Sequence, residues 1–219
     1  MQKINTFEDY GYSKLDNKIF TRPEYKHIMN MVDANSKILD LGCGDGSLGY
    51  LLIKNKKCSV YGIEIDKNGV KLAKEKGVLA KEGSIDKGLN YKNKTFDYVI
   101  INVTIQMVYD PDTLVKEALR VGKKVIVSFP NFSNILCRLQ SLTGRFPKFC
   151  LYGYEWYNTR HIHLFSYKDF IEYCKKRNIK IVDKHFLSWN SVDTNFLSNL
   201  FPNLLSMVPI IMIEGGKNG

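Results

Sequence analysis

The stretch ILDLGCGDGSLGYLL, residues 38–52, sets Gly42, Gly44 and Gly46 in a tight turn, with Asp40 just before it and Asp45 inside it. An apolar run leads in and a helix-period segment leads out, so the turn lies where a parallel sheet binds its ligands, beyond the carboxyl end of a strand. Gly42 and Gly44 carry no side chain to block a ligand, and Gly46 lets the chain enter the helix in close packing. Glu64 follows 22 residues after Gly42, at the end of the next apolar run. A carboxylate there can accept hydrogen bonds from the 2′ and 3′ hydroxyls of a ribose, each worth roughly 1.5 to 3 kcal/mol because one partner is charged. An adenosine-bearing ligand is therefore expected. A dinucleotide suits poorly: in a GxGxxG pattern the third small position falls on Ser47, and Asp40 and Asp45 would stand beside the pyrophosphate. A ligand with an ammonium, a sulfonium and one carboxylate matches that charge, which points to S-adenosylmethionine.

A second group of reactive side chains sits far along the chain, in YEWYNTRHIHLF, residues 154–165. Tyr154, Tyr157, His161 and His163 are the candidate catalytic residues, with Glu155 as a further base. Moving a methyl group from a sulfonium calls for alignment and exclusion of water, and for a base only where the acceptor arrives protonated. The faces of Tyr154, Trp156 and Tyr157 suit a cationic group at about 0.5 to 2 kcal/mol each, but aromatics at this density more often pack a lid against the sheet, which is the expectation here. His161 and His163 alternate about Ile162, which puts both imidazoles on one face of an extended segment. A metal would need a further ligand, and none is evident, so no metal is expected.

The elements that must position these groups alternate short apolar runs with helix-period segments, the pattern of a parallel sheet covered by helices on both faces. Strands are expected at 37–41, 58–65, 78–83, 96–102, 123–129, 179–187 and 208–216, seven in all. Helices are expected at 47–54 and 66–77, and again at 110–122, where Asp110 caps, Pro111 takes the first turn and Gly122 stops the run. Residues 131–142 suit a helix, 143–165 show no clear period, and Ser166 with Asp169 forms a capping-box arrangement before the next helix. A segment as long as 131–165 with so little regular structure reads as a lid or substrate segment.

At 219 residues, 44% hydrophobic and 25% charged, the chain has the size and composition of one globular domain, read as 1–219 with an N-terminal cap over 1–35. No apolar run is long enough to span a bilayer, and the first residues lack the apolar stretch of a secretory signal, so a cytoplasmic location is expected. The net charge of +10 comes from scattered lysines, most of them toward helix ends, which reads as a solvated surface and argues against nucleic acid as a partner. Five cysteines without a CxxC pair argue against a disulfide scaffold and a structural zinc site. Cys43, inside the glycine turn, reads as packing rather than as a nucleophile.

LDLGCGDG resembles the first motif of class I S-adenosylmethionine-dependent methyltransferases. The segments YGIEID, FDYVIINVTIQMVYDPDTLVKEALRVGKKVIVSFPNF and YEWYNTRHIHLFSYKDF narrow the likeness to the methionine biosynthesis protein MetW family, over about Ser36 to Leu187. The resemblance implies a Rossmann-like α/β fold with a seven-stranded, mostly parallel sheet. It also implies a methyltransferase acting on a small molecule in methionine biosynthesis, with S-adenosylmethionine as cofactor and S-adenosylhomocysteine as product. The alternative it leaves open is a cofactor-binding regulatory partner of homoserine O-acyltransferase that transfers no methyl group. Carried onto this sequence, Asp40, Gly42, Gly44 and Gly46 line the methionine part of the cofactor, Glu64 holds the ribose and Ile65 packs on the adenine. Where the superfamily usually reads GDA or GDL, this chain has Gly83, Ser84 and Ile85, so Ser84, Ile85, backbone groups and the nearby Asp86 take over the adenine edge. Asn102 ends the fourth strand facing the methyl-transfer side.

Overall fold

The computed structural model describes residues 22–151, 154–188 and 196–216. Seven strands form one sheet: β1 (Lys37–Leu41), β2 (Ser59–Glu64), β3 (Leu79–Glu82), β4 (Phe96–Asn102), β5 (Gly122–Ser128), β6 (Ile179–Leu187) and β7 (Val208–Gly215). Their order is β3-β2-β1-β4-β5-β7-β6. Every pairing from β3 across to β5 is parallel, whereas β7 runs antiparallel to both β5 and β6. From β1 the chain winds outward one way through β2 and β3, then returns to start β4 on the other side. A crevice therefore opens at the carboxyl ends of β1 and β4, where the strand order reverses.

The central strands are mostly apolar because both faces of the sheet are covered. Ile38, Val60, Tyr98, Ile100 and Ile126 face one core, shared with α1 (Pro23–Met31), α2 (Ser47–Lys56) and α3 (Lys67–Glu75). Their neighbours Leu39, Ile63, Val99, Ile101 and Val127 face the other, shared with α4 (Pro111–Val121) and α6 (Tyr167–Lys176). The two-residue period of the strands thus sorts alternate side chains into two cores. Capping fixes the helix starts. The Asp66 carboxylate accepts from the N–H groups of Asn68 and Gly69, Asp110 accepts from that of Thr113, and Ser166 with Asp169 closes a full capping box.

Among the described residues of the 131–165 segment, the regular elements are α5 (Ile135–Leu142) and a short 3₁₀ turn at Lys148–Leu151. Two short helices, α7 (Phe196–Leu200) and α8 (Pro202–Leu205), precede β7. No helix among the described residues is long and apolar enough to cross a membrane. Of the N-terminal cap, residues 1–21 lie outside the described residues. Cys43, Cys58 and Cys174 are free thiols, while Cys137 is joined in a disulfide, so the cysteines are not all the unpaired set that their spacing suggests.

Candidate functional site

The glycine turn leaves the sheet at the end of β1 in a left-handed path, with φ of +76° at Gly42, +56° at Gly44 and +76° at Gly46. Such angles are open to glycine and strained for other residues. Space is also short: a Cβ on Gly46 would lie 2.6 Å from the Ala73 Cα of α3, and one on Gly42 would lie 2.7 Å from Thr104 in the loop after β4. The room that Gly42 frees is thus filled by that loop, which is drawn over the turn. Cys43 is buried with its sulfur against Gly62, and burial raises its thiol well above the ordinary range, so it packs and does not react.

Three acids surround the turn, and each meets a different environment. Glu64, 5% exposed, accepts three backbone N–H bonds: from Gly44 at 2.8 Å on Oε2, and from Ile65 and Asp66 at 2.9 and 3.0 Å on Oε1. Burial nevertheless raises its pKa, with those amides pulling the other way. Asp45 turns aside: Oδ2 meets the Lys76 ammonium at 2.7 Å and the Ser47 hydroxyl at 2.6 Å, and Oδ1 accepts from the Ser47 N–H at 3.2 Å. Lys76 is not the solvated lysine that its place at a helix end suggests. Its side chain is 4% exposed, and it also donates to the Asp45 carbonyl at 3.0 Å.

Asp40 is the third acid, 3% exposed, and its carboxylate accepts no hydrogen bond among the described residues. Burial first, then Glu64 and Asp45, push it up to about 7. Buried carboxylates usually have a donor, and Asp40 meets none among the described residues.

On the far side of the crevice Ser84 caps a 3₁₀ turn by accepting from the Asp86 N–H, and Asp86 in turn accepts from the N–H of Tyr109 at 2.7 Å. Ile85 is buried in the core beside Ile63 and Leu89, whereas Ile65 stands 52% exposed just past β2. Asn102 is tied to β5, its Oδ1 accepting from the Ser128 hydroxyl at 2.6 Å. The next residue, Val103, holds φ of +51°, an angle rare for a β-branched side chain, and its N–H donates to both the carbonyl and the hydroxyl of Ser128. That kink launches the loop that covers Gly42.

Gln106, in the same loop and fully buried, meets the segment at 161–163. Its carbonyl accepts the N–H groups of Ile162 and His163 at 3.0 and 3.1 Å, and its Nε2 lies 3.5 Å from the His161 Nε2. The 161–163 segment is not a strand; it is held to the post-β4 loop by these bonds. His161 is buried and its imidazole is pushed down to about 4, so it is neutral at physiological pH. His163 is half-buried. Tyr154, Trp156 and Tyr157 are exposed, with Trp156 and Tyr157 in edge-to-face contact at 5.6 Å between ring centres, so these rings do not pack the 131–165 segment onto the sheet. Sequence reasoning missed Lys76, Thr104, Gln106 and Ser128, whose roles come from contacts distant in the chain. No group of three or more potential metal ligands clusters among the described residues.

The family model described as "Methionine biosynthesis protein MetW" matches residues 22–213. A bifunctional methionine biosynthesis protein MetXA/MetW of Rhodopirellula baltica is 29% identical over 170 residues, covering 73% of this chain and 27% of that protein, so the chain spans about a quarter of its length. An uncharacterized protein of Methanocaldococcus jannaschii is 25% identical over 202 residues, covering 87% of this chain and 90% of the other. Among solved structures, an S-adenosylmethionine-dependent methyltransferase of Thermotoga maritima, a possible histamine N-methyltransferase, superposes with a TM-score of 0.63 at 17% identity over 87% of each chain. At that identity the likeness shows the fold, the Rossmann-like class I methyltransferase architecture expected from the sequence.

Proposed function

Since the chain belongs to the methionine biosynthesis protein MetW family, we propose that it binds S-adenosylmethionine in the crevice at β1 and β4 and transfers its methyl group to a small molecule. The observation that carries this reading is Asp40, a buried carboxylate with neighbouring acids and no donor, for which a ligand ammonium is the missing partner. The residues present fit the cofactor. The turn at Gly42, Gly44 and Gly46 borders its methionine part. Glu64 keeps a lone-pair position on Oε2, beside the one that Gly44 fills, for a ribose hydroxyl. The exposed Ile65 covers the adenine face, and Ser84, Asp86 and the backbone near Ile85 border its edge. Asn102, Thr104 and Gln106 form the wall toward the methyl group.

When bound, S-adenosylmethionine supplies a methyl group on a positively charged sulfur; an acceptor lone pair takes that carbon while the carbon–sulfur pair stays on sulfur, leaving S-adenosylhomocysteine. This chain's own part is to orient and to exclude water. His161 adjoins the post-β4 loop but, lowered to about 4, is a weak proton acceptor at neutral pH; His163 beside it and Tyr154 and Tyr157 farther out are the other candidates. A second reading is favoured by the relative that joins MetXA and MetW in one chain: a cofactor-binding partner that acts by docking to homoserine O-acyltransferase. Calorimetry with S-adenosylmethionine, a search for methylated product, and a pull-down against the acyltransferase distinguish the two. Micromolar binding with product formation supports the enzyme, binding with a stable complex and no product supports the partner, and no binding at all defeats both.

A further inference from the structure

A cavity of about 600 Å³ opens within the lid, within the range of sites for small metabolites. Its walls are apolar and aromatic at Phe146, Trp156 and Leu164, and it carries three charges, Arg145, Lys148 and Glu155. Two of these cancel: the Lys148 ammonium lies 2.6 Å from a Glu155 carboxylate oxygen. Arg145 makes no hydrogen bond or ion pair among the described residues, so the cavity holds one uncompensated guanidinium beside a broad aromatic surface. His161 lies at the cavity's inner end and brings no charge there at neutral pH.

A short chain of contacts links the wall of the cavity to the crevice. His161 meets Gln106, Gln106 belongs to the 3₁₀ turn that follows Thr104, and Thr104 fills the space above Gly42. We propose that the lid cavity binds the acceptor molecule, and that this molecule carries one carboxylate, held by Arg145, on an apolar or planar body that lies against Phe146 and Trp156. This names the substrate class for the methyl transfer proposed above, and it rests on that reading only in calling the bound molecule the acceptor. A single planar guanidinium suits a carboxylate, which it grips with two parallel N–H bonds. A phosphate would call for more than one free cation, and Lys148 is already engaged.

The test uses the full chain with S-adenosylhomocysteine present and absent, and titrates 3-phenylpropionate against its neutral amide. The carboxylate should bind at least about 10-fold more tightly than the amide, the scale of one charge-assisted hydrogen-bonded pair. Arg145→Gln should bring the two probes within about 2-fold, Arg145→Lys should keep part of the preference, and Trp156→Ala should weaken both probes alike. Arg145 is exposed, so Arg145→Gln should melt like the parent and bind S-adenosylhomocysteine unchanged. Equal affinity for the two probes in the parent, a carboxylate preference that survives Arg145→Gln, or displacement of the probe by inorganic phosphate overturns the proposal. Loss of S-adenosylhomocysteine binding with the carboxylate preference intact overturns the cofactor reading alone.

Discussion

Replacing Asp40 by asparagine tests the crevice from two directions. The carboxyl has an ordinary value of 3.8 and is raised to about 7 in the folded chain, chiefly by burial. An acid with a raised folded pKa binds more protons folded than unfolded between those two values, so stability falls as pH rises through that window. About three pKa units correspond to roughly 4 kcal/mol in full, of which about 2.5 kcal/mol is lost between pH 5 and pH 8. The amide of the Asp40→Asn variant does not titrate, and its burial costs about 1 to 3 kcal/mol for lack of partners. The stability difference between variant and parent should therefore shift in favour of the variant by about 2.5 kcal/mol across that range. Urea unfolding of both proteins without cofactor, at half-unit steps of pH, measures it, and the difference cancels every other titrating group. In the same series S-adenosylmethionine should bind the parent more tightly as pH rises through 7, because an ammonium pairs only with the ionised form. Asp40→Asn should lower affinity at pH 8 by at least about 10-fold. A stability difference that stays flat with pH would show that Asp40 ionises normally, and an unchanged affinity in the variant would remove it from the cofactor site.

Glu64→Gln should weaken cofactor binding by about 10- to 100-fold by calorimetry, since one of the two groups facing the Gly44, Ile65 and Asp66 amides becomes a donor. Lys76→Met leaves the Asp45 charge buried and unpaired and should cost about 3 to 5 kcal/mol in urea unfolding. Adding Asp45→Asn to that variant should recover most of the loss; a double variant as unstable as the single one would mean that the pair is not the source. Gly46→Ala forces a left-handed residue against Ala73 and should lower stability by at least about 2 kcal/mol, measured by the same unfolding curves.

The strands and helices were legible because their signals are local. Asp110, Pro111 and Gly122 bracket α4 within thirteen residues, and β4 carries the apolar run Tyr98 to Ile101 because helices cover both of its faces. The glycine turn was legible for the same reason, its glycines lying two residues apart. Lys76 was not, since nothing in its neighbourhood distinguishes a lysine folded back onto Asp45, 31 residues earlier, from one that ends a helix in water. Gln106 and Val103 were hidden similarly. Their roles arise from the kink after β4 and from a segment more than 50 residues away, and no periodicity encodes either. The alternation at His161, Ile162 and His163 misled because the segment is bonded to a loop carbonyl rather than to a neighbouring strand.

The pairing of Asp45 with Lys76 also changes why a dinucleotide fits badly. Read from the sequence, Asp40 and Asp45 repel a pyrophosphate together, yet Asp45 faces an ammonium and contributes little repulsion. What replaces it is the fate of the amides. A pyrophosphate at such a turn needs free N–H groups from the loop and the start of the helix. Here the Gly44 N–H is taken by Glu64, that of Ser47 by Asp45, that of Gly46 by the Cys43 carbonyl, and those of Gly42 and Cys43 by the Ile63 carbonyl. The turn therefore offers an anion few donors, while Asp40 offers a cation a buried, unmatched acceptor. The proposed preference for a ligand bearing an ammonium rests on this bonding pattern, and it should persist if Asp45 and Lys76 are exchanged together for a neutral pair of equal size.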